Sequence, residues 1–224
     1  MQLRERFHRQ LNELRAEILA MGSQVEEQLR LALGALTSLD DGKAQAIYKL
    51  DEEVNRRRFA IEETCFNLIA MQHPIAKDLR LILSALAMAV DLERMGDQTK
   101  GIAKAVRHLR SLPELRRPML LEQMGLSGQR MLHQAMSAYA ENDAETARAV
   151  PLLDTEVDNQ YARVYADLMM QMAESDTTDE VEAIYEILRS ARELERFGDL
   201  AANVAERVVY LVTGSLEHIQ GEDA

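Results

Sequence analysis

Apolar residues recur every three or four positions from the start of the chain: Phe7, Leu11, Leu14, Ile18, Met21, Val25 and Leu29. That spacing lays them in one stripe along a helix reaching about Leu39. "LDDGK" at 39–43 breaks the pattern, with Gly42 free to take a left-handed conformation. A second helix is expected from about Lys43 to Gln72. It stops at "HP", 73–74, because Pro74 disfavours helix at His73 and suits the first turn of the next one. A third runs from about Ile75 to Leu109, closed by Pro113. The pattern then restarts. A fourth helix covers about Met119 to Ala140, "ENDAE" at 141–145 turns the chain, and a fifth extends to about Glu174 with Pro151 kinking it before Asp154. "SDTTDE" at 175–180 supplies caps for a sixth, which stops at Gly214.

Three helices followed by three more suggest a duplication, and two short stretches support it. "DLERMGD" at 91–97 returns as "ELERFGD" at 193–199, offset by 102 residues; "LDEEVN" at 50–55 returns as "LDTEVD" at 153–158, offset by 103. Short connections make successive helices antiparallel. The expected fold is all-α: two tandem three-helix bundles, each up-down-up, over 1–112 and 113–217, with a tail at 218–224. Composition agrees, with aromatics at 4%, four Pro and no Trp in 224 residues, a mixture that favours helices over sheets.

Charge is uneven. Residues 1–112 carry 17 Lys/Arg against 16 Asp/Glu, and residues 113–224 carry 9 against 22, within a net charge of −12. An acidic chain is repelled by phosphate backbones, so no nucleic-acid partner is expected. Cys65 is the sole cysteine, which rules out an internal disulfide and suits a reducing compartment. The opening "MQLRERFHRQ" is too charged for a signal peptide, and the apolar run at 81–90 is too short to span a membrane. A cytoplasmic location follows, with room for a membrane-bound partner. The twelve methionines, Met169, Met170 and Met172 among them, read chiefly as fillers of core gaps; exposed ones would offer partners an adaptable surface.

The repeated heptapeptide carries the candidate chemistry. Glu93 and Asp97 stand one turn apart on one helix face, where like charges repel. Glu195 and Asp199 repeat the pair, while Asp51 with Asn55 and Asp154 with Asp158 show the same spacing on the second and fifth helices. Asp51 precedes Gln72 by 21 residues and Glu93 follows Pro74 by 19, so antiparallel packing brings the two pairs to one height. Each half would gather four oxygen-bearing side chains that repel unless a cation lies between them. Carboxylates suit hard or borderline cations: Mg, Ca, Mn, Fe and sometimes Zn. Gly96 and Gly198, costly inside helices, suggest that another backbone or a bound object comes close at each site. The competing expectation is a metal-free salt-bridge layer using Arg94 and Arg196, each of which follows its Glu.

At these residues the chain resembles the PhoU family, accessory regulators of bacterial phosphate-specific transport. The resemblance covers nearly the whole chain and includes "MQHPIAKDLRLILSAL" at 71–86. It implies multinuclear iron or zinc clusters, with Mg or Mn as other candidates. The ligands would be Asp51, Glu93 and Asp97 in the first half, and Asp154, Asp158, Glu195 and Asp199 in the second. Asn55 departs from the acidic pattern, and its amide oxygen would make the first site weaker. A homodimer without enzymatic activity is expected, and the resemblance gives it a regulatory role. It would be a negative regulator of phosphate uptake and of the starvation response, an adaptor between the phosphate ABC transporter ATPase and a sensor histidine kinase.

Two other functions are weighed against this. A ferritin-like carboxylate-bridged enzyme needs two Glu-x-x-His motifs, and the chain has one, Glu5 to His8. A metal-free helical scaffold would leave the carboxylates without a cation. No phosphate-binding glycine loop is present, and no catalytic residue is assigned.

Overall fold

A computed structural model describes residues 2–112 and 114–215, which form six helices and, among the described residues, no strand. They are α1 (Gln2–Ser38), α2 (Asp41–Gln72), α3 (Ala76–Leu109), α4 (Met119–Glu141), α5 (Ala144–Glu174) and α6 (Thr178–Thr213). Pro113, His218 and the tail expected at 218–224 lie outside the described residues. The α1 stripe faces inward as its spacing requires: Leu14, Ile18, Met21, Val25 and Leu29 are almost wholly buried. Each such side chain contributes about 1.5–3 kcal/mol by leaving water.

Helix ends follow local chemistry. Asp40 caps α2 by accepting from the Gly42 and Lys43 amides, so α2 begins earlier than its apolar pattern indicates. Gly42 therefore lies inside the first turn, and Leu39 takes the left-handed turn in its place. Asp143 caps α5 in the same way, and Gly214 ends α6 in the expected left-handed conformation. Helix α5 continues through Pro151, although that residue has no N–H to offer the Ala147 carbonyl. It is one residue shorter than α2, 31 against 32, which accounts for the change of repeat offset from 103 to 102.

Helices α1, α2 and α3 form one bundle and α4, α5 and α6 the other, joined along α3 against α6 and α1 against α4. The α3–α6 seam is antiparallel: Gly101 meets Glu193, and Arg80 reaches Gly214. The α1–α4 contact is reciprocal. A Cβ on Gly22 would fall 2.5 Å from the Met136 side chain, and one on Gly125 would run into the Leu33 side chain. Gly22 and Gly125 are repeat equivalents, as are Leu33 and Met136. Buried residues from both halves make one continuous core. Cys65 lies in it, its thiol pushed up to about 12 by burial and then by Glu62, as befits a buried small hydrophobe. Met21, Met88, Met95, Met124 and Met131 fill core gaps, but Met169 and Met170 are exposed on α5. Among the described residues no helix is long and apolar enough to cross a membrane.

Candidate metal centre

Antiparallel packing of α2 on α3, and of α5 on α6, sets each acidic pair beside its partner. The two glycines explain how. A Cβ at Gly198 would sit 2.8 Å from Asp154 Oδ1, so the absent side chain makes room for that carboxylate. At Gly96 the neighbours are Gln28 Oε1 at 3.0 Å and Asp51 Oδ1 at 3.7 Å from the same notional atom. The close approach at Gly198 is thus an aspartate from the adjoining helix, and at Gly96 it is the Gln28 amide of α1, with Asp51 at ordinary contact distance.

In the first half, Asp51 is 5% exposed and its charge is answered from within the chain. Lys100 Nζ donates to Asp51 Oδ2 at 2.6 Å and pairs with Asp97 Oδ1 at 2.8 Å, bridging α2 and α3. Burial alone would lower the Lys100 pKa, but the two carboxylate bonds overcome it and hold the ammonium above its usual range. Asn55 donates to Asp51 Oδ2 at 3.3 Å, so its amide serves as a donor to the aspartate. Glu93 is pushed up by burial and then by Asp97, with Arg58 and Lys100 opposing. Arg94, a candidate ion-pair partner of Glu93, lies 3.8 Å from Asp91 instead.

In the second half Ala202 occupies the place of Lys100, and Asp158 that of Asn55. Asp154 is pushed up to about 7, first by burial and then by Asp199, Asp158 and Glu195. Its Oδ1 is buried without a hydrogen-bond partner. Asp158 is raised by burial and then by Asp199, against the pull of Arg192. Glu195 is raised by burial and Asp199; its Oε1 pairs with Arg192 at 2.8 Å while its buried Oε2 has no partner. Arg192 in turn stands over the Tyr161 ring, 5.5 Å from its centre. The cation attending this glutamate is therefore Arg192, three residues before it on α6.

The two clusters differ as hosts for a metal. Among the described residues no three Asp, Glu, His or Cys side chains already surround one point as ligands, so a cation would have to draw the carboxylates together by side-chain rotation. The second half is the better suited by its chemistry: its four groups are all carboxylates, and two of their oxygens are buried and unpartnered. The first half is the poorer host, because Lys100 already takes one oxygen of Asp51 and one of Asp97. Spacing alone singled out all eight positions and missed Lys100, three residues beyond the repeated motif. It also missed Gln28, fully buried beside Gly96 with neither amide atom bonded. Its repeat equivalent is Met131, so aligning the two halves position by position exposes both.

A family model described as the PhoU domain matches residues 18–106 and again 121–208. The chain is 35% identical over 217 residues to the phosphate-specific transport system accessory protein PhoU homolog of Pseudomonas aeruginosa, covering 96% of this chain and 89% of that protein. The homolog of Clostridium acetobutylicum is 36% identical over 214 residues, covering 94% and 96%. Among solved structures, PhoU from Pseudomonas aeruginosa superposes with a TM-score of 0.89 at 35% identity, over 93% of this chain and all of that one. The phosphate transport system regulatory protein PhoU from Streptococcus pneumoniae gives 0.87 at 34%, over 95% and 99%.

Proposed function

The chain belongs to the PhoU family, and on that premise we propose that it is a cytoplasmic accessory regulator of phosphate transport. In this reading it joins the ATPase of a phosphate ABC transporter to a sensor histidine kinase, restraining uptake and the starvation response when phosphate is plentiful. It reaches the membrane through those partners and acts as a homodimer. What carries the reading is the match of both halves to the PhoU domain. Leu152, Tyr165, Met169 and Met170 stand exposed along α5, and apolar and sulfur-bearing side chains of this kind suit a helix or loop partner.

The second-half carboxylates Asp154, Asp158, Glu195 and Asp199 would hold the metal, iron or zinc first, and Mg or Mn as other oxygen-seeking ions. Such an ion would neutralise the crowded charge and tie α5 to α6. We read the protein as a regulator and not an enzyme: Glu5 and His8 lie exposed near the start of α1, and the chain contains no second Glu-x-x-His.

Co-expression with the transporter ATPase and the sensor kinase of the same genome, followed by co-purification from phosphate-replete cells, tests the adaptor role. Deleting the gene should raise phosphate uptake and switch on starvation genes in those cells. Normal uptake and silent starvation genes after deletion would refute the regulatory reading. Light scattering on the purified chain checks the dimer.

A further inference from the structure

We infer that Lys100 is a built-in counter-cation that closes the first acidic cluster to metal, leaving the second acidic cluster to accept the cation. The inference rests on the carboxylate–metal reading above and departs from its symmetry. The Lys100 ammonium makes close contacts with both Asp51 and Asp97, from the two helices a metal would otherwise bridge. It is only 24% exposed at the side chain, so water does little to loosen it. Asn55 turns its amide N–H toward the same Asp51 oxygen, which leaves that atom doubly satisfied. The repeat equivalents of Lys100 and Asn55 are Ala202 and Asp158: one removes a positive charge and the other adds a negative one. Two neighbouring positions thus move the second cluster by two charge units relative to the first, in the direction that favours a bound cation. There the buried carboxylate oxygens Asp154 Oδ1 and Glu195 Oε2 remain without partners.

The test counts metal on the full-length, untagged chain after loading with Zn(II), or anaerobically with Fe(II), and removing the excess. Asp199→Asn should cut bound metal at least fivefold, while Asp97→Asn leaves it unchanged. Lys100→Ala should raise the count about twofold, and adding Asp97→Asn to that variant should cancel the gain. Should Lys100→Ala fail to fold by circular dichroism, Ala202→Lys gives the converse measurement: it should lower the metal content as far as Asp199→Asn does. If Asp97→Asn and Asp199→Asn each remove half of the metal, or if Ala202→Lys binds as much as the parent chain, the closed first cluster is disproved and the carboxylate–metal reading survives. If neither the parent chain nor Lys100→Ala retains any metal, both readings fall together.

Discussion

The two acidic clusters began as copies and now solve the same electrostatic problem in different ways. Both crowd carboxyl groups at a junction between antiparallel helices, beside a mid-helix glycine that leaves room for a polar side chain, Gln28 in the first and Asp154 in the second. In the first, a lysine three residues past the motif supplies the missing positive charge, and Asp51 rests in a bonded, compensated site. In the second, Arg192 answers Glu195, while Asp154 lies buried against Asp199 and Asp158 and its carboxyl is pushed up to about 7. A motif of carboxylates therefore does not specify a cation site by itself. The residue that decides lies outside the motif, where a single side chain either fills the role of the ion or leaves it open.

The sharpest way to break this comparison is to make the same substitution in both halves, with chelator present at pH 8. Asp154→Asn relieves buried like-charge repulsion and should stabilise the fold by about 2 kcal/mol. Asp51→Asn removes the main acceptor of a largely buried lysine and should destabilise it by about 2 kcal/mol. Chemical denaturation of the two variants reads the signs, and equal signs would erase the distinction.

Next in size is the pH dependence. A carboxyl whose pKa rises from 3.8 to about 7 on folding binds its proton more tightly in the native state. The native chain then holds a proton that the unfolded chain has released, so stability falls as pH rises between those two values. Metal-free protein should lose about 2 kcal/mol between pH 5 and pH 8, and Asp154→Asn should remove most of that slope. Denaturation midpoints at three pH values measure it. The smallest effect separates the glycines. Gly198→Ala forces Asp154 aside and should cost about 1 kcal/mol despite the better helix propensity of Ala. Gly96→Ala meets its aspartate at an ordinary distance and presses only on the Gln28 amide, and it should stay within about 0.5 kcal/mol of the parent.

Much of this was legible in the sequence. Apolar spacing located all six helices, and the repeated stretches identified the duplication, because burial of a helical stripe leaves a periodic trace. Element ends were less so: Asp40 extends α2 through a cap that hydropathy does not register, and the left-handed turn falls on Leu39 instead of Gly42. The acidic motifs came forward through their spacing, but the division of roles between halves did not. Lys100 acts across helices, from α3 onto α2, and its effect depends on which way an ammonium swings in three dimensions. Arg94 shows the opposite hazard, since it adjoins Glu93 in sequence and reaches Asp91 in space.

The paired contacts between α1 and α4 carry one more implication. Gly22 receives Met136 just as Gly125 receives Leu33, which is the self-complementary form of an isologous interface, patch meeting its own copy. An ancestor of half this length could have made both contacts at once by pairing with itself. In such an assembly every mutation would strike both subunits together, and a lysine at one acidic cluster would force a lysine at the other. A single polypeptide carrying both halves is free of that constraint, and Lys100 and Ala202 differ accordingly.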